Sequence, residues 1–151
     1  MRYFFDSSAL AKLYHPEPGS ARVNRIFREP ERLVFVCKLA LLELISVAGI
    51  KERTGHLSTE GATVFLRQVT VSAALGDFVV QPMLRQDYET ASRLLANYAP
   101  RHSLRTLDAL HLATALRRRV HSGLDWFVTS DRAFAQVAAL EGLAVLVPEE
   151  N

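Results

Sequence analysis

The chain has 151 residues, 49% of them apolar, and a formal net charge of +2. That length gives one domain, 1–151, and that apolar content supplies a sizeable core, which excludes both a two-domain chain and a disordered one. The single cysteine, Cys37, excludes an internal disulfide; among Val34, Phe35 and Val36 it reads as a buried thiol in a reducing compartment.

Strand and helix patterns alternate along the chain. Tyr3 to Phe5 reads as a first strand, followed by a helix from about Ser8 to Tyr14 that Pro16 and Pro18 stop. Ser20 to Phe27 is a short helix and Leu33 to Val36 a second strand. The apolar helix Leu39 to Arg53 ends at Gly55, and the next runs from Ser58, its N-cap, to Leu75 before Gly76. Phe78 to Val80 is a strand. Helices Arg85 to Tyr98 and Leu107 to Arg119 follow, then strand Trp126 to Val128, helix Arg132 to Leu140 and strand Leu143 to Val147. Strands that read as continuous apolar runs are buried on both faces, so the expected fold is α/β, with a mostly parallel five-stranded sheet and helices on both sides. In such folds ligands bind beyond the carboxyl ends of the strands.

The opening residues do not read as a signal peptide, because Asp6 and Lys12 interrupt the apolar stretch that one requires. The longest greasy run, Leu39 to Ile50, contains Glu43 and is too short to span a bilayer. A cytoplasmic protein without membrane contact is expected. Arg101, Arg105, Arg117, Arg118, Arg119 and Arg132 lie close together in sequence, with His102 and His121 beside them. Such clustering suits a polyanion, or a helix end whose cations complement the dipole.

Four acids fall at informative places. Asp6 follows the first strand and Asp131 the fourth, both at the carboxyl edge. Each could instead cap the next helix, Asp6 less readily because Ser7 or Ser8 can cap there. Glu43 lies in a helix apolar almost all round, hence expected to be buried, where a bare carboxylate needs a partner or a route to water. Lys38 and Lys51 stand at the helix ends, and a metal ion would serve. Asp108 opens an apolar helix, which it could cap or enter in the first turn, with Thr106 competing for the cap. Together the acids repel unless a cation joins them, and oxygen donors without paired cysteines select Mg²⁺ or Mn²⁺, which can activate water against a phosphodiester. His111, on the face of Asp108, admits a metal or acid role but reads better as a packed or surface side chain. Trp126, Phe127 and Phe134 read as core.

Four segments, Phe5-Asp6-Ser7-Ser8-Ala9-Leu10, Leu39-Ala40-Leu41-Leu42-Glu43-Leu44, Leu104 to Ala115 with its Asp-Ala-Leu-His-Leu-Ala centre, and Val128-Thr129-Ser130-Asp131-Arg132-Ala133-Phe134, resemble the PIN-domain ribonucleases. The resemblance is to the VapC-type toxins of type II toxin–antitoxin pairs. It covers nearly the whole chain, with Ser7 where the family commonly has Thr. It implies a PIN-like three-layer α/β/α sandwich and Mg²⁺- or Mn²⁺-dependent endoribonuclease activity. On that resemblance Asp6 and Asp108 are the principal metal ligands, Glu43 the third acid and Asp131 the fourth. Ser8 and Thr129 support the site, and Arg101, Arg105 and Arg132 are the expected RNA contacts. A homodimer and a cognate VapB-like antitoxin are the implied partners. Two alternatives stand beside this: a non-catalytic PIN-like RNA-binding protein, and a haloacid-dehalogenase-like phosphatase using Asp6 as nucleophile. The latter lacks its usual second Asp, since Ser8 occupies that place.

Overall fold

A computed structural model describes residues 1–150 of the protein. Five short strands form one parallel sheet: β1 (Arg2–Phe5), β2 (Leu33–Cys37), β3 (Val79–Gln81), β4 (Trp126–Val128) and β5 (Val145–Leu146), in the order β3-β2-β1-β4-β5. Phe5 pairs in register with Val36 on one side and Val128 on the other. All four strand pairs are parallel, which requires a crossover between each strand and the next in sequence.

Side-chain alternation along the strands builds two cores. Tyr3, Phe5, Val34, Val36 and Val128 face one layer, made by α1 (Ser7–Leu10), α2 (Ser20–Arg28), α3 (Lys38–Arg53) and α4 (Thr59–Leu75). Phe4, Phe35, Cys37 and Phe127 face the other, made by α5 (Arg85–Tyr98), α6 (Thr106–Ser122) and α7 (Arg132–Leu140). Phe4 stacks on Phe127, whose ring meets the edge of Phe134, so these aromatics are core. The result is the α/β/α sandwich expected.

Local chemistry sets the element ends. The Ser58 side chain accepts the Gly61 amide and caps α4, and Gly76, at φ 76°, closes its other end in the left-handed region that favours glycine. The first helix is shorter than the sequence suggests: α1 passes at Ala11 into one 3-10 turn ending at Leu13, ahead of Pro16. The last strand keeps only Val145 and Leu146 of the five residues expected, because β5 is an edge strand paired with β4 alone. Helix α3 is not buried all round. It hides Ala40, Leu44 and Ala48 but leaves Leu42 65% and Ile45 56% exposed. No helix of the described residues is long and apolar enough to cross a membrane.

Candidate functional site

The chain runs from β1 through β2 to β3 on one side of the sheet, then returns to place β4 on the other side of β1. That reversal makes a topological switch point between the carboxyl ends of β1 and β4, where crossovers diverge and leave a crevice. Asp6 leaves the end of β1 there, its amide donating to the Val128 carbonyl at 3.1 Å, and Asp131 begins α7 just beyond β4.

Asp6 is 4% exposed. Its Oδ1 accepts from the Ala9 amide at 2.9 Å and from Ser8 Oγ at 2.8 Å, and its Oδ2 from Thr129 Oγ1 at 2.7 Å. Asp6 itself is therefore the cap of α1, rather than Ser7 or Ser8. Burial pushes its carboxyl up from the ordinary range; the Ala9 amide, His111 and the two hydroxyls pull the other way. Thr129, fully buried, bridges two acids, because its Oγ1 also accepts the Asp131 amide at 3.1 Å. Asp131 caps α7 through Oδ1, at 2.9 and 3.0 Å from the Ala133 and Phe134 amides.

Asp108 lies in the first turn of α6, where its Oδ2 accepts the Arg105 amide at 3.1 Å. Arg105, not Thr106, is the N-cap residue. Burial raises the Asp108 carboxyl and the charge of Asp131 adds to that, while Arg105 and His111 oppose it. Capping occupies one oxygen of each: Asp131 caps with Oδ1 and Asp108 with Oδ2.

Glu43 finds a partner that sequence reasoning missed. Its Oε2 is hydrogen-bonded by Nε2 of His111, a side chain 1% exposed on α6, while Glu43 keeps a 19% exposed rim position on α3. The signal available was a lone histidine within an apolar helix, one turn from Asp108, facing an equally unpartnered glutamate on another helix. Among the described residues neither Asp6, Glu43, Asp108 nor Asp131 forms an ion pair with a lysine or arginine; Lys51 pairs with Glu17 instead.

The arginines divide. Arg105 stands at the site, its charge felt by Asp108. Arg101 is exposed on the loop between α5 and α6, and Arg132 reaches toward Glu150 at 3.3 Å. Arg117, Arg118 and Arg119 are at the far end of α6, tied to Asp87, to the Phe35 ring at 3.9 Å and to the Glu141 and Gly142 carbonyls. They are structural rather than part of a polyanion patch at the acids.

The donor set is all carboxylate oxygen, which suits a hard divalent cation. Among the described residues no three His, Cys, Asp or Glu side chains form a ready-made cage for a metal ion. Mg²⁺ does not demand one: it retains several waters and takes one or two carboxylates together with substrate phosphate. Asp6, buried, and Asp108, half-buried, both have carboxyls raised by burial, and among the described residues neither is in an ion pair with a lysine or arginine; such acids fit an ion of this kind.

A parallel α/β sandwich with Asp6 and Asp131 at its switch point, and Asp108 close enough to feel the charge of Asp131, defines a class of anionic-site α/β proteins. Within that class the chain belongs to the PIN domain family, whose model matches residues 3–140. Solved structures share the fold. PAE2754 from Pyrobaculum aerophilum is 22% identical, at TM-score 0.65 over 97% of this chain and 84% of that one. VapC20 from Mycobacterium tuberculosis, described as a Sarcin-Ricin loop cleaving toxin, is 17% identical, at TM-score 0.65 over 94% and 96%. FitAcB from Neisseria gonorrhoeae is 18% identical, at TM-score 0.67 over 99% of both chains. No curated sequence is similar enough to this one to count as a match.

Proposed function

We propose that the protein is a Mg²⁺- or Mn²⁺-dependent endoribonuclease, the toxin of a VapC-type toxin–antitoxin pair. The observation that carries this is the acid site at the switch point, left without a lysine or arginine counter-ion in a PIN domain. The structural likeness to a toxin described as cleaving the Sarcin-Ricin loop and to a toxin–antitoxin complex from Klebsiella pneumoniae supports the direction of the reading. PIN membership favours the nuclease over the phosphatase that Asp6 alone would suggest.

In this reading Asp6 and Asp108 hold the ion, with Glu43 and Asp131 completing the acid ring. When bound, the cation neutralises phosphate charge and acidifies water. The chain does the rest. Ser8 and Thr129 fix both oxygens of Asp6, so the carboxylate cannot turn away. Arg105, with Arg101 and Arg132 further out, meets the phosphate backbone of the RNA. The protein acts as a homodimer in the cytoplasm and is held inactive by a cognate VapB-like antitoxin.

The test is cleavage of RNA by purified protein. Cutting is expected with Mg²⁺ or Mn²⁺, to stop with a chelator, and to be lost in Asp6→Asn and Asp108→Asn while circular dichroism shows the fold retained. Cleavage that ignores the chelator, or survives both substitutions, removes the reading.

A further inference from the structure

His111 has no part in the chemistry just described, yet its place is unlike that of a packed core histidine. Its neighbours along α6, Leu112, Ala113 and Ala115, are buried and apolar, so a polar ring among them needs hydrogen bonds. One ring nitrogen, Nε2, bonds Glu43; the other, Nδ1, is buried without a partner. A carboxylate only accepts, so Glu43 draws the proton to Nε2 and fixes both the tautomer and the ring plane. The constraint runs in both directions. Glu43 stands on α3, in the helical layer on the opposite face of the sheet from α6. The His111–Glu43 bond therefore ties the two layers together over the carboxyl edge of the sheet, beside Asp6 and Asp108. It engages Oε2; among the described residues Oε1 has no protein partner.

We propose that His111 is the positioning residue of the third acid: it holds Glu43 by one carboxylate oxygen at the site and leaves the other for what the site binds. Without it a glutamate on the rim of α3 would spread over solvent-facing rotamers, and the acid ring would lose a member to conformational entropy. The inference rests on the metal-nuclease reading above. A histidine-to-carboxylate support of this kind is worth about 10–100-fold in metal affinity or activity.

Four variants test it: His111→Phe, which keeps the volume and removes the bond; His111→Gln, whose side-chain amide can still donate to Glu43; Glu43→Gln; and the Phe/Gln double variant. Mn²⁺ binding without RNA, measured by electron paramagnetic resonance, is read beside kcat and KM. The Phe variant is expected to bind Mn²⁺ about 10–100-fold more weakly and to lose kcat with KM for RNA little changed. The His111→Gln variant should recover most of both. The double variant should be no worse than Glu43→Gln alone, because His111 acts through Glu43. Should the Phe variant fail to fold, His111→Asn, whose amide stops short of Glu43, replaces it with the same expectations. A folded Phe or Asn variant with wild-type Mn²⁺ binding overturns the proposal, as do losses that multiply in the double variant. Wild-type protein that neither binds Mn²⁺ nor cuts RNA overturns the nuclease reading and this proposal with it; wild-type activity matched by every His111 variant overturns the role of His111 alone.

Discussion

The surroundings of Asp108 disfavour its charged form. Burial first, and the nearby charge of Asp131 after the opposing Arg105 amide, raise its carboxyl pKa in the folded chain. A carboxyl with a raised folded pKa binds its proton more tightly folded than unfolded, so its ionisation costs stability above that pKa, and the cost disappears as pH falls through it. Asp108→Asn, which can still accept the Arg105 amide, should therefore melt higher than wild type at pH 7, and the difference should shrink as both proteins are taken into the acid range. Each kcal/mol relieved corresponds to about 2–4 °C in a chain of this size. Mg²⁺ should narrow the gap from the other side, raising the wild-type melting temperature and leaving that of the variant unchanged. A variant that melts lower than wild type at pH 7 would show that the acid stabilises the fold. Thr129 gives the opposite case. Thr129→Val removes the donor to Asp6 and the acceptor of the Asp131 amide within a fully buried site. Leaving those groups unsatisfied costs about 1–3 kcal/mol. Urea unfolding should register that loss, and cleavage should fall with it because Asp6 is then held by the Ala9 amide and Ser8 alone.

Helix α6 explains why residues that look like one basic patch in sequence do two jobs. It has 17 residues, and at 1.5 Å each its ends are about 25 Å apart. Arg105 is at the amino end with the acids, and Arg117 to Arg119 are at the carboxyl end, where cations complement the dipole. A charge count along the chain cannot separate these; the helical rise does. Arg117 Nε donates to Asp87 Oδ1 at 2.8 Å, and Asp87 is 1% exposed, its Oδ2 accepting the Leu84 amide at the start of α5. Arg117→Ala leaves that carboxylate buried and uncompensated, a loss of about 3–5 kcal/mol, with cleavage per folded molecule unchanged. Arg105→Ala should do the reverse: stability nearly constant, RNA affinity reduced, and the salt dependence of binding shallower by about one unit. Equal effects of the two substitutions on RNA affinity would restore the single-patch reading. The strands and most helix ends were legible for the converse reason. Their signals are local: apolar runs, Ser58 as a cap, Gly76 as a stop. The His111–Glu43 bond joins residues 68 apart on different layers and has no local signature.

At the scale of the whole molecule, the misjudged element is α3. An apolar helix without periodicity reads as buried in its own chain, but Leu42, Ile45 and Ile50 are exposed, and beside them α3 and α4 leave a groove of about 340 Å³ lined by Leu41, Ile45, Leu66, Val69, Thr70 and Ala73. Sequence hydrophobicity reports what must leave water; it does not report whether the cover comes from the same chain. In the proposed homodimer that cover would come from the second copy, since an isologous interface sets the same apolar patch against itself. Ile45→Glu tests this, because it places a charge at the centre of the patch while the native fold keeps the residue solvent-exposed. The monomer should therefore fold as before. Buried across a dimer, the unpaired carboxylate would cost several kcal/mol, and every 1.4 kcal/mol weakens association tenfold. Sedimentation should show wild type as a dimer and the variant as a monomer at the same micromolar concentration. All four acids come from one chain, so the monomer should keep its Mn²⁺ affinity; loss of metal binding together with the dimer would mean that a second copy helps to shape the acid site.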